Sequence, residues 1–71
     1  MKRLQVLRES REWSRAELAR RANMNQNTVG LIERGRLLPY DSQLQKLATA
    51  LGVGNPASLI EDVMPNVSIA Q

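Results

Sequence analysis

The stretch SRAELARRANMNQNTVGLIERG, residues 14–35, has the pattern of two short helices joined by a tight turn. Ser14 and Glu17 stand at the spacing of a capping box, in which each side chain satisfies an unpaired backbone donor at a helix start. Asn23 tolerates the left-handed backbone that ends a helix sharply. Asn25 has a side chain suited to capping a second helix. The stretch therefore predicts one helix, a turn at Asn23, and a second helix.

The apolar residues of this stretch recur at helical spacing, so each predicted helix has one face to bury. They are Leu18, Ala19 and Ala22 in the first helix, and Val29 and Ile32 in the second. Gly35 follows as the stop signal of the second helix. The polar and basic residues between these positions face outward, and the major groove of DNA accepts the second helix of such a pair.

Three further helices are predicted around this pair, which makes the fold class all-α, a compact five-helix domain. The first spans residues 2–11, and the helix-turn-helix pair supplies helices two and three. The fourth starts at Tyr40 or Asp41 and runs to Leu51, with apolar residues at helical spacing. A short fifth helix is expected over residues 56–62, because a proline follows a capping asparagine there.

Length and composition restrict the chain to one small domain. Seventy-one residues lie near the lower limit for a self-sufficient core, and we assign residues 1–62 to the domain and residues 63–71 to a short C-terminal tail. Cysteine and histidine are absent, which excludes disulfides and the usual zinc sites, so we expect no metal or cofactor. No apolar run approaches the ~20 residues of a membrane span, and the charged N-terminus is unlike a signal peptide. We therefore expect a cytoplasmic protein.

The charge is unevenly distributed along the chain. Residues 1–36 hold nine basic and four acidic side chains, a net charge of +5, whereas residues 37–71 hold one basic and three acidic side chains, a net charge of −2. A basic half that carries the helix pair fits a surface that faces phosphates. The alternative is that these arginines only lie on solvent-exposed helix faces and bind no phosphate.

The order and spacing of these features resemble the phage-repressor/Cro-like helix-turn-helix domain, also called the XRE type, over residues 4–60. The matching stretches are LRESREWS at residues 7–14, ELARRA at 17–22, NTVGLIERG at 27–35, Pro39, and LQKLATALGV at 44–53. The resemblance implies a sequence-specific, double-stranded-DNA-binding transcriptional regulator with a recognition helix over residues 26–34. A repressor of phage or mobile-element type is the expected form, encoded by a bacterium or phage and associated with the nucleoid.

The resemblance places base reading on the outward face of the recognition helix. By position, the predicted base readers are Gln26, Asn27, Gly30 and Leu31. The amides of Gln26 and Asn27 suit bidentate pairing with adenine. Gly30 allows a closer approach to DNA, and Leu31 can touch a thymine methyl group. The alternative for Gly30 is that the helix merely tolerates a glycine there, without any contact to DNA. The alternative for Leu31 is that its side chain belongs partly to the core.

The resemblance also implies a set of phosphate contacts around that helix. They are Arg15, Asn25, Thr28, Arg34 and Arg36. Arg15 stands at the first turn of the second helix, where backbone N–H groups and the helix dipole also attract phosphate. An ordinary solvated side chain is the alternative for each arginine. Arg8 and Glu33 match family positions of a partly buried ion pair, a structural role.

Two copies of such a domain commonly bind a palindromic operator, with recognition helices about 34–36 Å apart. We therefore expect a homodimer, at least on DNA. The candidate dimer surface is the fifth helix with the tail, comprising Leu59, Ile60, Val63, Met64, Val67 and Ile69. The alternative is that these residues close the core of one molecule, and for Leu59 and Ile60 we prefer it.

A second hypothesis is a protein-interaction module, such as an antitoxin or anti-repressor with the same fold. It depends on Leu31, Leu37 and Leu38, because a cluster of exposed apolar side chains often marks an interface. Enzymatic activity is excluded on chemical grounds: no histidine or cysteine is present to act as base or nucleophile, and Glu33 is expected to be paired.

Overall fold

The computed structural model describes residues 1–63, which form four α-helices and one 3-10 turn. The helices are α1 (Arg3–Ser10), α2 (Arg15–Ala22), α3 (Gln26–Glu33) and α4 (Asp41–Leu51), and the 3-10 turn is Pro56–Ile60. The all-α fold class and the predicted positions of the first four helices are confirmed over these residues. The count of five α-helices is not.

The fifth element is a 3-10 turn because its hydrogen bonds join residues three apart. The N–H and the hydroxyl of Ser58 both donate to the carbonyl of Asn55, at 3.1 and 2.7 Å. The N–H of Glu61 then donates to the carbonyl of Ser58 at 3.2 Å. A segment this short gains too few bonds to sustain an α-helix, and 3-10 geometry is the usual result. The prediction of a helix over residues 56–62 was therefore correct in place and wrong in type.

The cap of α2 forms only half of the predicted capping box. The Ser14 hydroxyl accepts a hydrogen bond from the Glu17 N–H at 3.0 Å. In the described part of the chain, the reverse bond from the Ser14 backbone to the Glu17 carboxylate is missing. That carboxylate accepts hydrogen bonds from Arg20 and Arg21 instead, because charge-assisted bonds to guanidinium groups are stronger than a bond to a neutral amide.

The turn between α2 and α3 confirms the predicted local chemistry. Asn23 lies in the left-handed region at φ 56°, and the N–H of Met24 donates back to the Ala19 carbonyl at 2.8 Å. Asn25 then caps α3, since its side-chain oxygen accepts a hydrogen bond from the Asn27 N–H at 2.7 Å. Gly35 ends the following segment at φ 75°. The angle between α2 and α3 therefore depends on local polar contacts as well as on packing.

The core lies where the four helices and the 3-10 turn meet. Its buried apolar residues are Leu4, Leu18, Ala19, Ala22, Val29, Ile32, Leu44, Leu47, Ala48, Leu51 and Leu59. Leu59 is completely buried, and Ile60 packs against the core. The 3-10 turn therefore closes the core of one molecule. This confirms the core role that we preferred for Leu59 and Ile60 over a place in the dimer surface. Of the suggested dimer surface, Met64, Val67 and Ile69 lie outside the described residues.

Trp13 packs against this core without being fully enclosed by it. The Arg21 guanidinium stands 4.4 Å from the centre of its ring, and that of Arg11 stands 5.7 Å away. These distances suit cation–π contact. Trp13 is therefore partly buried by the core, and two guanidinium groups border its ring.

A short antiparallel pairing fastens the segment after the 3-10 turn to the start of α1. The Arg3 N–H donates to the Glu61 carbonyl at 2.8 Å, and Lys2 forms an ion pair with Asp62 at 3.3 Å. None of the helices in residues 1–63 is long and apolar enough to span a membrane.

Candidate nucleic-acid interface

A buried ion pair joins the first helix to the end of the third. The Glu33 side chain is fully buried, and Arg8 donates to both of its carboxylate oxygens, at 2.7 and 3.1 Å. The remaining terminal nitrogen of Arg8 donates to the Trp13 carbonyl at 2.7 Å. The predicted ion pair is therefore present, and it holds α3 against α1 and the loop before α2. Burial makes its loss costly, because removing one partner leaves an uncompensated charge.

Arg15 is a third member of this cluster, which the sequence did not indicate. Its Nε donates to a Glu33 carboxylate oxygen at 3.0 Å, and its side chain is 35% exposed. Two guanidinium groups therefore share one carboxylate, and a carboxylate oxygen of Glu9 lies 3.6 Å from a terminal nitrogen of Arg8. Arg15 and Glu33 are 18 positions apart, so only the packing of α2 against α3 brings them together.

The outward face of α3 forms the floor of a shallow depression of about 240 Å³. It is lined by Arg15, Gln26, Asn27, Gly30, Leu31 and Arg34. The structure thus brings all four predicted base readers together with two of the predicted phosphate contacts. Two side-chain amides and two guanidinium groups around one concavity make a surface rich in hydrogen-bond donors.

Gly30 lies at the bottom of this depression and is itself buried. A methyl group added there would stand 3.7 Å from the Cδ of Arg15 and 3.8 Å from a terminal nitrogen of Arg34. Both arginine side chains therefore extend over the glycine. Direct base contact by Gly30 remains a prediction. A methyl group would fit there in ordinary van der Waals contact, whereas a longer side chain would meet both arginines.

The other predicted phosphate contacts lie around the depression and do not line it. Asn25 is exposed, although its side-chain oxygen is engaged in capping α3. Thr28 is half-buried, and Arg36 is exposed just beyond the end of the helix. Their contact with phosphate stays a prediction.

A second arginine–glutamate cluster lies on the surface of α2. The Glu17 carboxylate accepts hydrogen bonds from the guanidinium groups of Arg20 and Arg21, three and four residues further along the helix. These bonds, Arg20 first and Arg21 next, lower the pKa of the Glu17 carboxyl below its ordinary value of 4.5. Glu17 is therefore ionised at neutral pH, and the exposed side of α2 carries a net positive charge.

The exposed apolar residues do not form one continuous site with the depression. Leu37 and Leu38 line a separate cavity of about 110 Å³ near Ile60, whereas Leu31 belongs to the depression on α3. Leu38 and Tyr40 are 79% and 77% exposed. Tyr40 did not stand out in the sequence, because a lone tyrosine before a helix carries no pattern.

The order of the helices, the tight turn at Asn23 and the outward face of α3 define a helix-turn-helix protein. A family model described as a helix-turn-helix domain matches residues 2–59. The chain belongs to this family, which agrees with the resemblance to the phage-repressor/Cro-like type.

Several curated proteins from mycobacteria are similar to the chain. They are named as uncharacterized HTH-type transcriptional regulators, one from Mycobacterium bovis and two from strains of Mycobacterium tuberculosis. Each is 33% identical over 70 residues, a match that covers 96% of this chain and 27% of the relative. The chain thus spans about a quarter of the length of these relatives. No solved structure matches the chain significantly.

Proposed function

We propose that the chain is a transcriptional regulator that binds double-stranded DNA sequence-specifically and has no catalytic activity. The observation that carries the proposal is the donor-lined depression on the outward face of α3, the helix that this family presents to DNA. The opposite face of the same helix is fixed in the core by Val29 and Ile32. The mycobacterial relatives, which are named as transcriptional regulators, support the same class of function.

In this proposal α3 enters the major groove with its N-terminal end closest to the bases. Gln26 and Asn27 pair with base edges, adenine being the best match for their amides, and Leu31 packs against a thymine methyl group. Arg15, Asn25, Thr28 and Arg36 hold the phosphates on either side of the groove. The buried Arg8–Glu33 pair keeps the helix at a fixed angle.

A small domain of this kind makes few contacts, so we further propose that it binds as a homodimer on a palindromic operator. We also propose that the protein is a repressor of phage or mobile-element type, which is cytoplasmic and associated with the nucleoid. Selection of bound sequences from a random duplex pool tests this directly, because a palindromic result reports the site and the two-fold symmetry together. A single unrepeated site would contradict the dimer.

Substitution of Gln26 and Arg15 tests the division between base reading and phosphate binding. Gln26→Ala should reduce the discrimination between the selected site and random duplex by about 1–3 kcal/mol. Arg15→Ala should weaken both to a similar degree, because a phosphate contact carries no sequence information. Binding of each variant to both duplexes is measured by fluorescence anisotropy at fixed salt. An unchanged specificity ratio for Gln26→Ala would show that the base readers lie elsewhere.

One observation favours a second function, a protein-interaction module such as an antitoxin or anti-repressor. Leu37 and Leu38 line a cavity, and Leu38 and Tyr40 are largely exposed. Exposed apolar groups of this size often mark interfaces. Salt separates the two functions, because phosphate binding releases counterions and weakens steeply as salt is added. If no duplex binding is detectable even at low salt, the DNA-binding proposal is wrong and the interaction module is preferred.

A further inference from the structure

Arg34 is the C-cap of α3, yet its side chain belongs to the outward face of the helix. It continues the helical backbone at φ −84° and ψ −2°. Residues four apart on a helix differ by only about 40° around its axis, so Gln26, Gly30 and Arg34 form one stripe. Asn27 and Leu31 flank these three residues on one side. We call all five residues together the reading stripe.

The Arg34 side chain turns back along the reading stripe and does not extend past the end of the helix. Its terminal nitrogen stands 3.8 Å from the point where a Cβ of Gly30 would be. Helical side chains lean toward the N-terminus, over the residue four positions earlier. At that position Gly30 has no side chain, so the guanidinium group of Arg34 reaches into the depression that Gln26 and Asn27 also line.

This guanidinium group is available to a ligand. Arg34 is exposed, and its side chain forms no hydrogen bond or ion pair with any residue between 1 and 63. Arg15, on the neighbouring wall of the depression, differs because its Nε is held by Glu33 at 3.0 Å. The two arginines that extend over Gly30 are therefore unequal: Glu33 holds the Nε of Arg15, whereas the guanidinium donors of Arg34 have no partner among residues 1–63.

We infer that Arg34 reads a guanine in the major groove and does not grip a phosphate. Guanine presents two acceptors, O6 and N7, at the spacing of the planar guanidinium fork, and this pairing is the commonest specific contact of arginine with DNA. Phosphates border the groove, whereas the guanidinium group of Arg34 lies over Gly30 in the middle of α3, on the face that an inserted helix directs at base edges. This inference rests on the proposed function and deepens it: the operator contains a guanine beside the bases read by Gln26 and Asn27.

Arg34→Lys tests the inference because lysine keeps the charge and loses the fork. Sites are selected from a random duplex pool with the parent protein and with the variant. The base position at which only the parent protein selects guanine is then probed with 7-deazaguanine, which lacks the N7 acceptor. The parent protein should bind the 7-deazaguanine duplex about tenfold more weakly than the guanine duplex. The variant should distinguish the two duplexes little.

The matched control is Arg20→Lys, an equivalent exchange on the exposed side of α2, outside the proposed interface. It should select the same site as the parent protein. Circular dichroism checks that all variants are folded.

Two results would overturn the inference and leave the proposed function intact. In the first, Arg34→Lys keeps the same guanine preference as the parent protein. In the second, Arg34→Ala weakens binding to all sequences equally and lowers the salt dependence by about one charge, which identifies a phosphate contact. Failure of the proposed function is a separate outcome, because the parent protein itself would then bind no duplex at low salt.

Discussion

Two clusters in this molecule share one composition, a glutamate between two arginines, and differ in almost everything else. In one, Glu33 accepts hydrogen bonds from Arg8 and Arg15, and its side chain is completely buried. In the other, Glu17 accepts hydrogen bonds from Arg20 and Arg21, and its side chain is 29% exposed. The buried cluster joins three helices, whereas the surface cluster lies within α2.

The difference shows that ion pairs of the same composition contribute differently to stability. Their contribution depends on how exposed they are to water and on how far apart the partners lie along the chain. A surface pair between neighbouring helical residues is screened by water and contributes little. A buried pair costs desolvation energy to form, but breaking it leaves a charge without water or a partner. We therefore expect the buried cluster to determine the stability of the fold and the orientation of α3, and the surface cluster to supply mainly positive charge.

The largest contrast is expected between Glu33→Gln and Glu17→Gln, which remove the same charge with little change of volume. Glu33→Gln should lower the free energy of unfolding by about 3 kcal/mol or more, since Arg8 loses its buried partner. For a domain of this size that is most of the total stability. Glu17→Gln should cause a much smaller loss. Urea unfolding followed by circular dichroism measures both, and equal losses would contradict the distinction between the clusters.

A smaller contrast is expected between Arg15→Ala and Arg20→Ala. Arg15→Ala leaves the bidentate Arg8–Glu33 pair in place, so it should cost about 1 kcal/mol, the value of one charge-assisted hydrogen bond reduced by partial exposure. Arg20→Ala should cost less, because Arg21 still pairs with Glu17. Thermal unfolding of the two variants at the same pH and salt measures the order. A larger loss for Arg20→Ala would show that the bond between Arg15 and Glu33 does not stabilise the fold.

The smallest effect concerns pH. The pKa of Glu17 is lowered in the folded protein from its ordinary value of 4.5, so the folded state binds this proton less readily than the unfolded state does. Its stabilising contribution is therefore complete above about pH 4.5 and is lost as the pH falls through the lowered pKa. The stability difference between the parent protein and Glu17→Gln should shrink between pH 6 and pH 3. Urea midpoints over this range test the sign, and a difference that grows on acidification would contradict it.

Local signals in the sequence predicted the architecture well. Apolar spacing located the first four helices, and the asparagines at 23 and 25 indicated the turn and the cap that the structure contains. The Arg8–Glu33 pair was expected from the family resemblance alone. The fifth element was given the wrong type, because a proline and a capping residue mark the start of a helical segment without revealing whether it is long enough to become an α-helix.

The features that the sequence did not indicate depend on which contacts form within each helix and on the packing between helices. Glu17 had an appropriate spacing for the capping box, yet two nearby guanidinium groups compete for its carboxylate. Arg15, the second partner of Glu33, reaches it only where α2 meets α3. The direction of the Arg34 side chain depends on the space above Gly30, which becomes visible only once Arg15 is placed. Residue spacing shows which pairs within one helix can meet, but it does not decide which of them form, and it contains no information on pairs between helices.

The two sides of α3 have a consequence for how such proteins diversify. Val29, Ile32 and Glu33 fix one side in the protein, whereas Gln26, Asn27 and Arg34 on the other are exposed. Random change can therefore explore new combinations of exposed residues while the scaffold continues to fold. Gly30 is the exception, because any long side chain at this position would displace its neighbours and alter several contacts at once. A lineage that replaces this glycine should change its preferred DNA site abruptly, not by one base at a time.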